Sequence, residues 1–133
     1  MHRKILSGRV HSMTSNLLMN IVQLTSAFAF IGYGIACLTT SHMKQEFERY
    51  GLQRFRLLTG LLEIAGGTGL LIGLFSSTPF LSLLASLGLA LLMICGIGVR
   101  LKIKDSFLQC LPAIILLVVN SVIAFSHFQT INP

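Results

Sequence analysis

Four apolar stretches, residues 16–40, 57–75, 80–99 and 107–127, each come close to the roughly 20 residues that carry a helix across a bilayer. Little of the 133-residue chain lies outside them. The fold they predict is all-α: an integral membrane four-helix up-down bundle forming a single domain over residues 1–133. With 53% hydrophobic and 11% charged residues, the charges fall in the links and not on helix faces. No Pro- or Ser-rich linker marks a second unit. The basic start MHRKILSGRVHS precedes an apolar run too long for a signal peptide and without a small-residue cleavage site, so that reading is rejected.

The polar link SHMKQEFERYGLQRFR predicts a short interfacial helix in the first long loop. Ser41 is placed to cap it, Met43, Phe47 and Tyr50 share one face, and Gly51 ends it. Glu46, Glu48 and Arg49 read as a solvated face with local ion pairs of little energetic worth. Pro79 opens the third span after a tight turn, Ser106 with Gln109 fits a capping box for the fourth, and Pro112 interrupts that helix's hydrogen bonding near Leu108.

Within the second span one carboxylate, Glu63, stands among Gly60, Gly66, Gly67, Gly69 and Gly73. If the span begins near Leu57, Glu63 lies about 9 Å below the membrane surface. Charge at that depth is costly and marks a functional position that faces the bundle interior. The glycines let neighbouring helices approach closely. On the first span Asn16, Asn20, Gln23, Ala27, Gly34, Cys37 and Ser41 share a polar or small face expected to point inward, with Asn20 and Gln23 either bonding between helices or touching a ligand. The third span carries Ala85, Gly88, Leu92 and Gly96 along one seam. The fourth turns Gln109, Ala113, Leu116, Asn120, Ala124 and His127 inward.

In an up-down bundle Cys37, Glu63, Cys95, Arg100 and Cys110 fall in one leaflet, with Arg56 seven residues before Glu63 on the same face. A carboxylate, cationic rims, thiols and small residues make an apolar slot with a few fixed polar groups, suited to a polar-headed lipophile such as a quinone. The competing expectation is a structural ion pair of Glu63 with Arg56 or Arg100, the thiols being fillers. The cysteines have no CxxC or metal spacing, so neither a metal site nor a covalently bound cofactor is expected. The net charge of +6 suits anionic lipid headgroups, and no basic face with interleaved aromatics points to nucleic acid.

The succession FIGYG and ACL (Phe30–Leu38), EFERYGLQRFR (Glu46–Arg56), GLLEIAGGTGLLIGL (Gly60–Leu74) and VRLKIKDSFLQCLPAIILL (Val99–Leu117) resembles the DoxX-like family. The glycine, two apolar residues, glutamate and small-residue run of the second span is the most specific part, and it places the family's acidic position at Glu63. The resemblance implies a four-helix protein of the bacterial cytoplasmic membrane. Some members are linked to quinone-dependent sulfur oxidation or redox-stress complexes, and distant relatives act in receptor assembly. Two roles follow as expectations: an accessory subunit holding a quinone-like lipophile for a membrane or peripheral redox partner, or a non-catalytic scaffold that packs against other helices or further copies.

Three cations, Arg3, Lys4 and Arg9, lie at the N-terminal end, against seven at the opposite end: Lys44, Arg49, Arg54, Arg56, Arg100, Lys102 and Lys104. The positive-inside rule therefore puts the links in the cytoplasm and both termini outside, leaving the thiols in a reducing compartment. Topology reporters fused to the C-terminus are expected to respond as external; a cytoplasmic response reverses the assignment.

Overall fold

The computed structural model describes residues 2–132, apart from the side chains of residues 2 and 12. Five α-helices follow in order: α1 (His2–Thr39), α2 (Ser41–Tyr50), α3 (Arg56–Phe75), α4 (Pro79–Lys102) and α5 (Phe107–Ile131), with a 3₁₀ turn at Gln53–Phe55. Of these, α1, α3, α4 and α5 are long and apolar enough to cross a membrane, the turn extending the α3 segment. The chain is an integral membrane helical bundle.

Helix α1 is longer than its apolar pattern predicts. At 38 residues it measures about 57 Å, nearly twice a hydrocarbon core. The polar start contains no proline to stop the helix, and Thr14 folds its hydroxyl back onto the Val10 carbonyl at 2.8 Å. At the other end Thr40, not Ser41, caps α2, accepting from the Met43 N–H at 3.3 Å. Thr40 is the residue with extended backbone there, as an N-cap needs, whereas Ser41 is already in the helix. Gly51 ends α2 at φ 72°, with the Leu52 N–H reaching back to the Phe47 carbonyl. Ser77 and Lys104 adopt the same left-handed conformation after α3 and α4, closing Schellman turns through Thr78 to Gly73 and Asp105 to Arg100. The expected capping box at Ser106 and Gln109 is formed, and Gln109 is exposed as part of it, not turned inward.

Packing proceeds around a ring in which α1 lies on α3, α3 on α4, and α4 on α5. The core is Ala27, Phe30, Leu70, Leu89, Met93 and Ile123. The α1–α3 seam depends on absent side chains. A Cβ on Gly67 would stand 2.7 Å from the Ala27 carbonyl oxygen, and one on Gly34 would stand 2.7 Å from that of Gly60. On α4 the inward line is Ser82, Ser86, Leu89, Ala90 and Met93, not the line through Gly88 and Gly96. Gly88 is exposed with nothing near its missing Cβ, because Ser82 fits against Gly73 of α3 and Ala85 against Gly69, which turns the glycine outward.

These contacts separate two classes of glycine. Gly67→Ala is expected to destabilise the bundle by about 1–3 kcal/mol, since the obstructing atom is backbone and cannot rotate away. Gly88→Ala is expected to leave it unchanged or slightly firmer. Thermal unfolding of both variants in one detergent checks the contrast.

Candidate functional site

Glu63 lies on the inward line of α3, Gly60, Glu63, Gly67, Leu70 and Gly73, and is 9% exposed. Its Oε2 is a fully buried oxygen without a hydrogen-bond partner, the one such side-chain atom among the described residues. Glu63 makes no ion pair with any described residue. Arg56 turns instead to the end of α1, where its Nη1 donates to the carbonyls of Cys37 (2.9 Å) and Leu38 (3.1 Å). The exchange is reciprocal: the Cys37 thiol donates to the Arg56 carbonyl at 3.4 Å. Carbonyls left open by the end of α1 thereby find a cation, which also favours the negative end of the helix dipole.

The remaining expected members are placed differently. Cys95 is exposed on the outer face of α4, because the serine line and not the glycine line faces inward. Cys110 is buried near the start of α5. All three cysteines are free. Arg100 is held away from Glu63 by Asp105, to which its Nη1 donates at 3.0 Å.

Asp105 is the centre of an ionic lock that the solvated-face reading of α2 does not anticipate. Arg49 bonds both its oxygens, at 2.8 and 3.1 Å, and also both oxygens of Glu46. Tyr50 donates to Glu46 at 3.1 Å, and the guanidinium carbons of Arg49 and Arg100 lie 5.3 and 5.6 Å from its ring centre. Helix α2 is thus fastened across the α4–α5 link. Nothing in the local sequence around Asp105 or Arg49 signals this pairing. The Arg49 guanidinium holds both the Asp105 and Glu46 carboxyls below their usual range, while burial pushes the Tyr50 phenol up.

A second polar cluster lies at the opposite end. The Gln23 Nε2 donates to the Leu70 carbonyl (2.9 Å) and the Ser82 hydroxyl (2.8 Å), and its Oε1 pairs with His127 Nε2 at 2.7 Å. Nearby, Ser26 donates to Asn120 at 3.2 Å. Gln23 therefore bonds between helices. Asn16 and Asn20, expected to point inward, are exposed. They border a cavity of about 670 Å³ between the middle of α1, the ends of α3 and α5 and the start of α4. His127 and Ser77 also line it.

The carboxyl shifts of the ionic lock give a pH dependence of definite sign. Both groups hold their charge more firmly in the folded protein, so folding binds fewer protons through the carboxylate range and stability rises with pH there. The contribution is complete above about pH 5 and is lost as pH falls below about 4 and through the lowered folded values. Asp105→Asn is expected to melt earlier than wild type at pH 7 and to show a flatter loss between about pH 5 and 3, as read by thermal unfolding in detergent.

No curated protein and no solved structure matches the chain. A family model for the DoxX-like family matches residues 21–122, a region that contains Glu63, the whole of α2 and the ionic lock. The protein belongs to the DoxX-like family.

Proposed function

We propose that this membrane protein holds a quinone-like lipophile in the bundle against Glu63, as an accessory subunit to a redox partner. The observation that carries the reading is the orphaned Glu63 Oε2. Leaving a buried carboxyl oxygen without a partner costs roughly 1–3 kcal/mol or more, and a bound polar head would recover it. The two arginines expected to neutralise it are engaged elsewhere, which weighs against a purely structural ion pair. A quinone supplies two-electron, two-proton chemistry when bound. The chain's part is narrower: Glu63 offers a hydrogen bond from the inward line of α3.

The scaffold reading has its own support. Gly88, Cys95 and Gly98 face outward on α4, and neither glycine has anything near its missing Cβ, so another helix could approach closely there.

Two variants of Glu63 separate these readings. Glu63→Met replaces an unpartnered carboxyl by an apolar side chain of similar length and is expected to keep or raise the melting temperature. Under the proposal it also lowers quinone retained through purification about tenfold, the equivalent of roughly 1.4 kcal/mol; Glu63→Gln, which keeps a polar terminus, loses less. Quinone retention unaffected by either variant, or absent from the wild type, removes the lipophile reading and leaves the scaffold.

A further inference from the structure

Far from Glu63, and independently of any ligand there, the bonding of Gln23 determines what the cavity at the terminal end can accept. The Leu70 carbonyl can only accept a hydrogen bond, so the Gln23 amide nitrogen must face it, and the amide oxygen must face His127. That oxygen can only accept, so His127 Nε2 carries a proton and donates. In the neutral ring the other nitrogen, Nδ1, is then a lone pair, and it has no hydrogen-bond partner among the described residues. His127 itself is half-buried and lines the cavity.

The remaining walls supply hydroxyls and carboxamides, including Asn16, Asn20, Ser77 and Gln129, and none of the described lining side chains carries a formal charge. Arg9, the nearest arginine or lysine on α1, stands six residues before Ser15, about 9 Å along the axis. An ionic ligand would lose its water here without gaining a counter-charge. A ligand that can only accept hydrogen bonds would leave Nδ1 unanswered. A volume of about 670 Å³ is within the range of small-molecule sites.

We infer that this cavity is a second binding site, for an uncharged polyhydroxylated group that donates a hydroxyl to His127 Nδ1 and exchanges hydrogen bonds with Asn16 and Asn20. The same chemistry is offered by a neutral glycerol or sugar headgroup of a lipid and by a free polyol. Apolar surface beside the mouth, with Phe75 79% and Phe80 60% exposed, suits an attached acyl chain.

The full chain, labelled with nitrogen-15 histidine in phosphatidylcholine nanodiscs, provides the test. Monoolein is expected to move the His127 Nδ1 resonance upfield saturably, as an unprotonated ring nitrogen does on accepting a hydrogen bond, while Nε2 stays protonated. The double substitution Asn16→Leu, Asn20→Leu touches exposed walls outside the Gln23 cluster, and is expected to weaken the response at least tenfold without changing the melting temperature. Monoolein with both hydroxyls methylated should give no shift. Free glycerol acting at the same concentration as monoolein would support the site and assign it to soluble polyols; monoolein acting alone would support it and assign a lipid headgroup. No shift with monoolein, an equal shift with its methylated form, or tighter binding of oleate overturns the inference.

Discussion

The bundle depends on one carboxamide. Gln23 reaches from α1 to the backbone of α3, the hydroxyl of Ser82 on α4 and the ring of His127 on α5, so a single side chain touches all three other spanning helices. In a bilayer the hydrophobic effect does not draw helices together, because lipid is as apolar as leucine; packing and interhelical hydrogen bonds must do so. Each such bond contributes little alone, on the order of 0.6 kcal/mol in measured membrane bundles. Shared through one rigid group, they also fix register. The Leu70 carbonyl is already bonded within its own helix, so it is reachable only where α1 and α3 approach closely, and that approach requires the missing side chains at Gly34, Gly60 and Gly67. The glycine seam and the polar cluster are therefore two parts of one arrangement.

Against that background Glu63 is the exception. Gln23, Ser26, Ser82, Ser86 and Asn120 are all buried and all hydrogen-bonded. The fold thus satisfies polar groups at depth even where this requires partners from other helices. It nonetheless directs nearby Arg56 to backbone carbonyls of α1 and Arg100 to Asp105. A buried carboxyl left without a partner while both arginines are committed elsewhere is a local inconsistency of the kind that functional positions tolerate.

Local chemistry in the sequence accounted for most of the helical framework. Four spans, the left-handed stop at Gly51, Pro79 at the head of α4, the Ser106–Gln109 box and the inward aspect of Glu63 all follow from spacing and residue type within a few turns. What could not be read depends on partners distant in the chain. Arg49 and Asp105 are 56 residues apart, and nothing in either neighbourhood announces the other. On α4 the expected seam is half right: Ala85 and Leu92 pack against the core, but Gly88 turns outward, and Ser82 and Ser86, whose hydroxyls hydrogen bonds allow into the core, take the inward line. The length of α1 was missed for a different reason: hydropathy marks where a helix enters lipid, not where it begins.

The two ends of the bundle solve the same problem in opposite ways. Where α1, α4 and α5 meet the links, ionised groups close the structure: Arg56 on the end of α1, and Arg49 and Arg100 around Asp105. At the terminal end none of the described side chains lining the cavity is Asp, Glu, Lys or Arg; neutral donors and acceptors line it, and His127, bonded to Gln23, is part of its wall. A group that arrests Gln23 or His127 from that side acts directly on the side chain that connects all four helices. In the proposed second site a hydroxyl on His127 Nδ1 would polarise the ring whose Nε2 bonds Gln23, and so bear on the side chain that connects all four helices.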